Sequence, residues 1–162
     1  MPTTTRISIA NDGTQGNRHS GNPSVSADGQ FVAFYSVASN LVTNDTNGSA
    51  DVFLYDTTAQ TIQRISIDNN GTQGNGDSYS PSVSADGQFV AFSSKASNLV
   101  ANDTNGSADV FLYDTTAQTI QRISIDNNGT QGNGHSHKPV VSADGQFVAF
   151  ESFASNLVAN DT

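Results

Sequence analysis

Two seven-residue stretches concentrate the oxygen donors of this sequence. Asp45-Thr46-Asn47-Gly48-Ser49-Ala50-Asp51 returns unchanged as Asp103-Thr104-Asn105-Gly106-Ser107-Ala108-Asp109. Hard cations such as Ca²⁺ take about six to eight oxygens from carboxylates, amide and backbone carbonyls and water. Asp45, Asn47 and Asp51, with Asp103, Asn105 and Asp109 in the second stretch, are therefore candidate calcium ligands. The spacing falls short of a full Asp-x-Asp-x-Asp-Gly loop, because the third ligand and the bidentate glutamate are missing. The same residues suit a pair of Asx turns, with Asp51 opening the strand that follows. Both readings stay open on the sequence, and neither makes a cofactor obligatory.

Other chemistry is thinner. His135 and His137 are two residues apart, so on an extended strand they share a face. With Glu151 they would offer ligands to a transition metal. No Gly-x-Ser-x-Gly nucleophile elbow occurs, and no phosphate-cradling Gly-x-x-x-x-Gly-Lys-Ser/Thr loop. Asp77 and Glu151 are the carboxylates best placed for paired acid–base work near an axis, and no motif distinguishes them. The expectation is a protein that is not an enzyme.

The elements that position these residues are set by repetition. Arg6-Ile7-Ser8-Ile9 returns at Arg64 and at Arg122, a period of 58 residues (64 − 6 and 122 − 64). A period of this size marks a solenoid, a propeller or an array. The copies are 6–63, 64–121 and a shortened 122–162, within one domain spanning 1–162. Within each full copy four strands are predicted. Pro23-Ser24-Val25-Ser26 turns at Ala27-Asp28-Gly29-Gln30 into Phe31-Val32-Ala33-Phe34, and Asp-Gly between two apolar runs is a hairpin signal. Asp51 to Tyr55 follows, and a turn at 56–60 leads into 61–67. A further strand of that last type is expected near Thr5. Copy three stops before its third strand; only Asp161-Thr162 of the acidic stretch remains. The second and third strands are apolar on both faces, which implies burial on both. Four-stranded antiparallel units stacked face to face describe an all-β propeller.

Ser26-Ala27-Asp28-Gly29-Gln30-Phe31-Val32-Ala33-Phe34, followed by Asp51-Val52-Phe53-Leu54-Tyr55-Asp56, resembles the TolB-type propeller repeat. Ala27, Ala85 and Ala143 stand where that family has proline. The resemblance covers essentially the whole chain. It implies a bacterial propeller of six or seven blades with a protein- or ligand-binding role, in the periplasm or outside the cell. It implies no single activity, because propellers host many.

Most of the differences between the copies fall in two clusters. One precedes the first strand: Arg18, His19, Gly21 and Asn22 become Gly76, Asp77, Tyr79 and Ser80, then Gly134, His135, His137 and Lys138. The other ends the second strand: Tyr35 and Val37 become Ser93 and Lys95, then Glu151 and Phe153. Antiparallel pairing brings both clusters to one edge of each blade. A ligand-binding face is therefore expected at His19, Tyr35, Asp77, Tyr79, Lys95, His135, His137, Lys138, Glu151 and Phe153, for a protein or a glycan. The alternative is an amplified or designed repeat scaffold with no ligand.

Composition narrows the partners. Six basic residues against fifteen acidic ones give a net charge of −9, which argues against nucleic acid. With no cysteine, neither a disulfide framework nor a thiolate metal site is available. No apolar run approaches the roughly 18 residues of a membrane span. Met1-Pro2-Thr3-Thr4-Thr5 has neither the basic nor the apolar region of a secretion signal. Because fewer than three blades cannot close a ring, a homo-oligomer is expected, most simply two chains giving six blades.

Overall fold

The computed structural model describes residues 3–161; Met1, Pro2 and Thr162 lie outside it. Ten strands form three antiparallel sheets in chain order. Blade 1 contains β1 (Ser20–Val25), β2 (Phe31–Ser36), β3 (Asp51–Asp56) and β4 (Thr61–Arg64). Blade 2 repeats them as β5 (Ser78–Val83), β6 (Phe89–Ser94), β7 (Asp109–Asp114) and β8 (Thr119–Arg122). Blade 3 has only β9 (Ser136–Val141) and β10 (Val148–Ser152). Among the described residues there is no helix.

The apolar runs behave as predicted. Val52, Phe53, Leu54 and Tyr55 are all buried, although alternate residues point to opposite faces. One core cluster therefore lies between blades 1 and 2. Ala33, Val52 and Leu54 from the back of blade 1 meet Val83, Val90, Phe92, Phe111, Tyr113 and Ile120 from the front of blade 2. A smaller cluster joins blade 2 to blade 3 through Ala91, Leu112 and Val141, with Phe89, Ile123 and Val148 packed on it. The first strands of successive blades lie side by side. Their turns are stitched by Ala27 N–H donating to Ala85 O and Ala85 N–H donating to Ala143 O, each at 3.0 Å.

Three elements differ from the sequence expectation. The strand predicted from Thr5 is absent: residues 3–8 lie in no strand, and Ile7 and Ile9 instead pack over Phe34, Phe53 and Ile62 on the front of blade 1. That strand type pairs with a third strand, and this segment has none beside it. The fourth strands end at Arg64 and Arg122 rather than three residues later. Past them the chain turns inward, and Ser66 and Ser124 donate to the buried carboxylates of Asp51 and Asp109. The first strands begin earlier than predicted, at Ser20, Ser78 and Ser136. They carry a register shift at Asn22-Pro23, Ser80-Pro81 and Lys138-Pro139. At that bulge Asn22, Ser80 and Lys138 have φ of 49°, 53° and 51°. The sequence signal for it is Pro23, Pro81 and Pro139, which have no N–H to give to a regular ladder.

Candidate functional site

The two variable clusters do share one edge. Gly21 pairs with Tyr35, Tyr79 with Ser93 and His137 with Glu151 across the first two strands of each blade. Of these, Tyr79 and Glu151 reach the surface, while Ser93 is buried and donates to the Tyr79 carbonyl. His19 Nε2 and Tyr35 Oη lie 3.0 Å apart and share a hydrogen bond. The Tyr35 ring then meets the Tyr79 ring of the next blade edge to face, with centroids 5.0 Å apart at 73°. That geometry suits the opposed charges of a ring's face and edge. Tyr79 keeps 38% of its surface exposed. Burial first, and then the charge of Asp77 and the neighbouring Tyr35, pushes its phenol above the ordinary tyrosine range. In blade 3, His137 lies between His135, at 6.0 Å, and Phe153, at 5.6 Å. Phe153 is 78% exposed. Two aromatic groups therefore line one edge, one straddling blades 1 and 2 and one on blade 3.

Not every variable residue is free to bind. Asp77 Oδ1 accepts from the N–H of Ala50 at 2.9 Å, and His135 Nδ1 accepts from the N–H of Ala108 at 2.8 Å. Both tie the start of one blade to the third strand of the blade before. Lys138 and Glu151 pair with each other at 3.1 Å on the exposed surface. The expected His135, His137 and Glu151 metal set is thus divided, with one ring nitrogen and the carboxylate already engaged. Among the described residues no group of three or more His, Asp or Glu side chains converges for a metal. The paired-carboxylate idea meets the same obstacle, because Asp77 caps a strand and Glu151 faces a lysine. Lys95 is exposed at the end of β6.

Each of the two acidic loops receives an arginine side chain. Arg64 Nη1 sits between Asp45 Oδ1, at 3.2 Å, and Asp51 Oδ2, at 3.1 Å. Arg122 does the same between Asp103 and Asp109, at 3.4 Å each. Asn47 Nδ2 and Ser66 Oγ also donate to Asp51, and Asn105 and Ser124 donate likewise to Asp109. A calcium ligand set needs lone pairs facing inward, whereas Asn47 and Asn105 present N–H groups. Burial, and then the neighbouring Asp51 charge, raises Asp45 above the usual aspartate range, against the pull of Arg64. Asp103 is raised in the same way beside Asp109. Arg64 and Arg122 entered the sequence analysis only as markers of the period, and their Asp partners are the carboxylates of these loops. The signal was their own exact recurrence with the loop.

No protein-family model matches the chain, and no curated protein matches it. Solved structures do. The tricorn protease superposes with a TM-score of 0.55 at 15% identity, over 85% of this chain and 11% of that one. A protein described as a TolB from Agrobacterium tumefaciens gives 0.50 at 19% identity, over 86% of this chain and 45% of that one. The β-propeller domain of the Trilobed protease from Pyrococcus furiosus gives 0.50 at 12% identity, over 82% of this chain and 34% of that one. The chain thus spans less than half the length of each of these structures. At such identities the likeness concerns the backbone alone. With the stacked antiparallel sheets it leads to one conclusion: this is an all-β chain with the β-propeller fold.

Proposed function

We propose that this chain is a non-enzymatic binding module, a propeller scaffold presenting a diversified edge to a protein or glycan ligand. The Tyr35–Tyr79 contact across two blades carries the reading. Its two rings stand exactly where near-identical copies have diverged, and Tyr79 is held by its neighbours yet remains accessible. Aromatic surfaces of this kind stack on sugar rings and anchor protein contacts at low entropic cost. His137 and Phe153 offer a second surface of different chemistry, so the contact would be asymmetric along the edge. The same reading has the ring completed by a second copy, and the TolB-type resemblance carries with it a periplasmic or extracellular setting.

The chain supplies its own probe. It has no tryptophan and four tyrosines, of which Tyr55 and Tyr113 are buried. Titration with a panel of soluble oligosaccharides should change tyrosine emission through Tyr35 and Tyr79. Tyr79→Ala should remove that response and leave the far-ultraviolet circular dichroism unchanged. Protein candidates are read by capture on the immobilised chain with the same variant. If neither glycans nor proteins are retained in a Tyr79-dependent way, the ligand-free scaffold reading replaces this one.

A further inference from the structure

The two joints between blades repeat the same parts, and each part recurs once more without its counterpart. At the first joint Phe31, opening β2, lies over Gly87 in the turn of blade 2, and a Cβ on Gly87 would sit 2.1 Å from that ring. At the second, Phe89 lies over Gly145 in the same way, at 2.0 Å. The third phenylalanine of the series, Phe147, is 71% exposed. The first glycine of the series, Gly29, would have nothing within 4 Å of a Cβ. The valines agree: Val83 and Val141 are 8% and 7% exposed where a preceding blade covers them, and Val25 is 60% exposed. Pro81 and Pro139 are buried and Pro23 is exposed. The back of blade 3 and the front edge of blade 1 therefore expose the complementary parts of such a joint.

We infer that a second copy of this chain supplies the missing half, with Phe147 of one copy seated over Gly29, Pro23 and Val25 of the other. The inference rests on the propeller reading and not on any ligand. Continuity with the two internal joints carries it: three equivalent phenylalanines and three equivalent glycines make two intramolecular contacts and leave one of each. The backbone stitch continues in step, since Ala143 N–H and Ala27 C=O are the groups left over from the Ala27–Ala85–Ala143 series. The contact is heterologous, so it closes a ring only if two copies complete the turn.

One detail separates this joint from the internal ones. Ser24 Oγ accepts from Val83 N–H, and Ser82 Oγ from Val141 N–H, at 3.1 Å each. The third residue of that series is Val140, 63% exposed and with no acceptor to offer. Val25 N–H of the second copy then faces a methyl group. The intermolecular joint is accordingly built weaker than the internal ones at one position.

Sedimentation velocity on the intact chain tests this over a range of concentrations. The expected result is a dimer, twice the 16.9 kDa chain mass. Phe147→Ser should weaken it about tenfold or more, and Val25→Ser should weaken it in the same direction. Val140→Ser, which restores an acceptor, should tighten it about two- to tenfold. An equimolar mixture of Phe147→Ser and Val25→Ser should regain one intact joint and dimerise better than either alone. Phe147 and Val25 are exposed in the single chain, so circular dichroism should match the parent. A chain monomeric at every concentration overturns the inference. A dimer indifferent to Phe147→Ser and Val140→Ser overturns it too, because copies would then meet elsewhere. Neither outcome touches the Tyr79-dependent ligand test.

Discussion

Replacing Arg64 with methionine isolates the electrostatics of the acidic loop. The substitution keeps most of the side chain's length and removes the guanidinium between Asp45 and Asp51. The side chain of Asp51 is 0% exposed, that of Asp45 4% and that of Arg64 10%, so water does little to screen what is left. Removing one partner of a buried pair typically costs about 3–5 kcal/mol, because the remaining charge is uncompensated. In a domain of this size about 1 kcal/mol moves Tm by roughly 2–4 °C, so the expected loss is about 6–20 °C. The repeat provides the control. Arg6 is the equivalent residue of copy one, but it is exposed and, among the described residues, its side chain bonds Ser8 Oγ and Gln15 Oε1 and no carboxylate. Arg6→Met should change stability by no more than about 0.5 kcal/mol. A pH series adds a signature. With the guanidinium gone, the Asp45 carboxyl, already raised by burial, rises further. The deficit of Arg64→Met relative to the parent should then shrink as pH falls and the carboxyl takes up a proton. Differential scanning calorimetry of both variants across pH 4 to 8 decides the matter. Equal losses for Arg6→Met and Arg64→Met, or a deficit that does not shrink in acid, would refute the buried-pair account.

Three further outcomes follow from the same geometry. Millimolar calcium against chelator should leave the parent Tm unchanged, because resident guanidinium groups and amide donors occupy both loops; a clear rise would reinstate Asp45, Asn47, Asp51, Asp103, Asn105 and Asp109 as ligands. Asp28, Asp86 and Asp144 are held below the usual aspartate value of 3.8 by the hydroxyls of Ser26, Ser84 and Ser142 and then by the amides of Gln30, Gln88 and Gln146. Their folded pKa is depressed, so their stabilisation is present above about pH 4 and is lost as pH falls below it; urea midpoints at pH 7 and pH 3 should show the fall. Gly87→Ala should cost about 1–3 kcal/mol more than Gly29→Ala, because both carry a positive φ but only Gly87 has a phenylalanine ring on it. Chemical denaturation of the two variants, in a background carrying Phe147→Ser to keep the chains apart, gives that difference directly.

Much of the fold was legible because the sequence states it nearly three times. A 58-residue period, Asp-Gly turns and two-sided apolar strands leave few alternatives to stacked four-stranded blades. The variable edge was legible for the same reason, since repeats make variation visible against a constant background. What escaped was whatever depends on the third dimension between copies. Asp77 and His135 look like site residues when ranked by type, yet each caps the preceding blade through a backbone N–H about 27 positions away in sequence. The strand that carries Arg64 does not say which carboxylates it meets, and only packing brings it 19 and 13 residues back (64 − 45 and 64 − 51) to Asp45 and Asp51. Composition reports which charges a loop carries and is silent on which opposite charge arrives to meet them.

The substitution at Val140 shows how these two kinds of information combine. In sequence it is one change among six between copies two and three, and it lies outside the two clusters that define the variable edge. In the structure it stands at the position where Ser24 and Ser82 hold the next blade by accepting a backbone N–H. Ser24 and Ser82 each hold a following blade, whereas Val140 is 63% exposed. In the inferred joint a hydroxyl at that position would accept Val25 N–H of the second copy, and the exchange for valine removes that hydrogen bond alone. The internal joints keep theirs. Under the inferred joint, the strength of association between copies is set separately from the stability of each copy, by a residue that lies outside the variable edge.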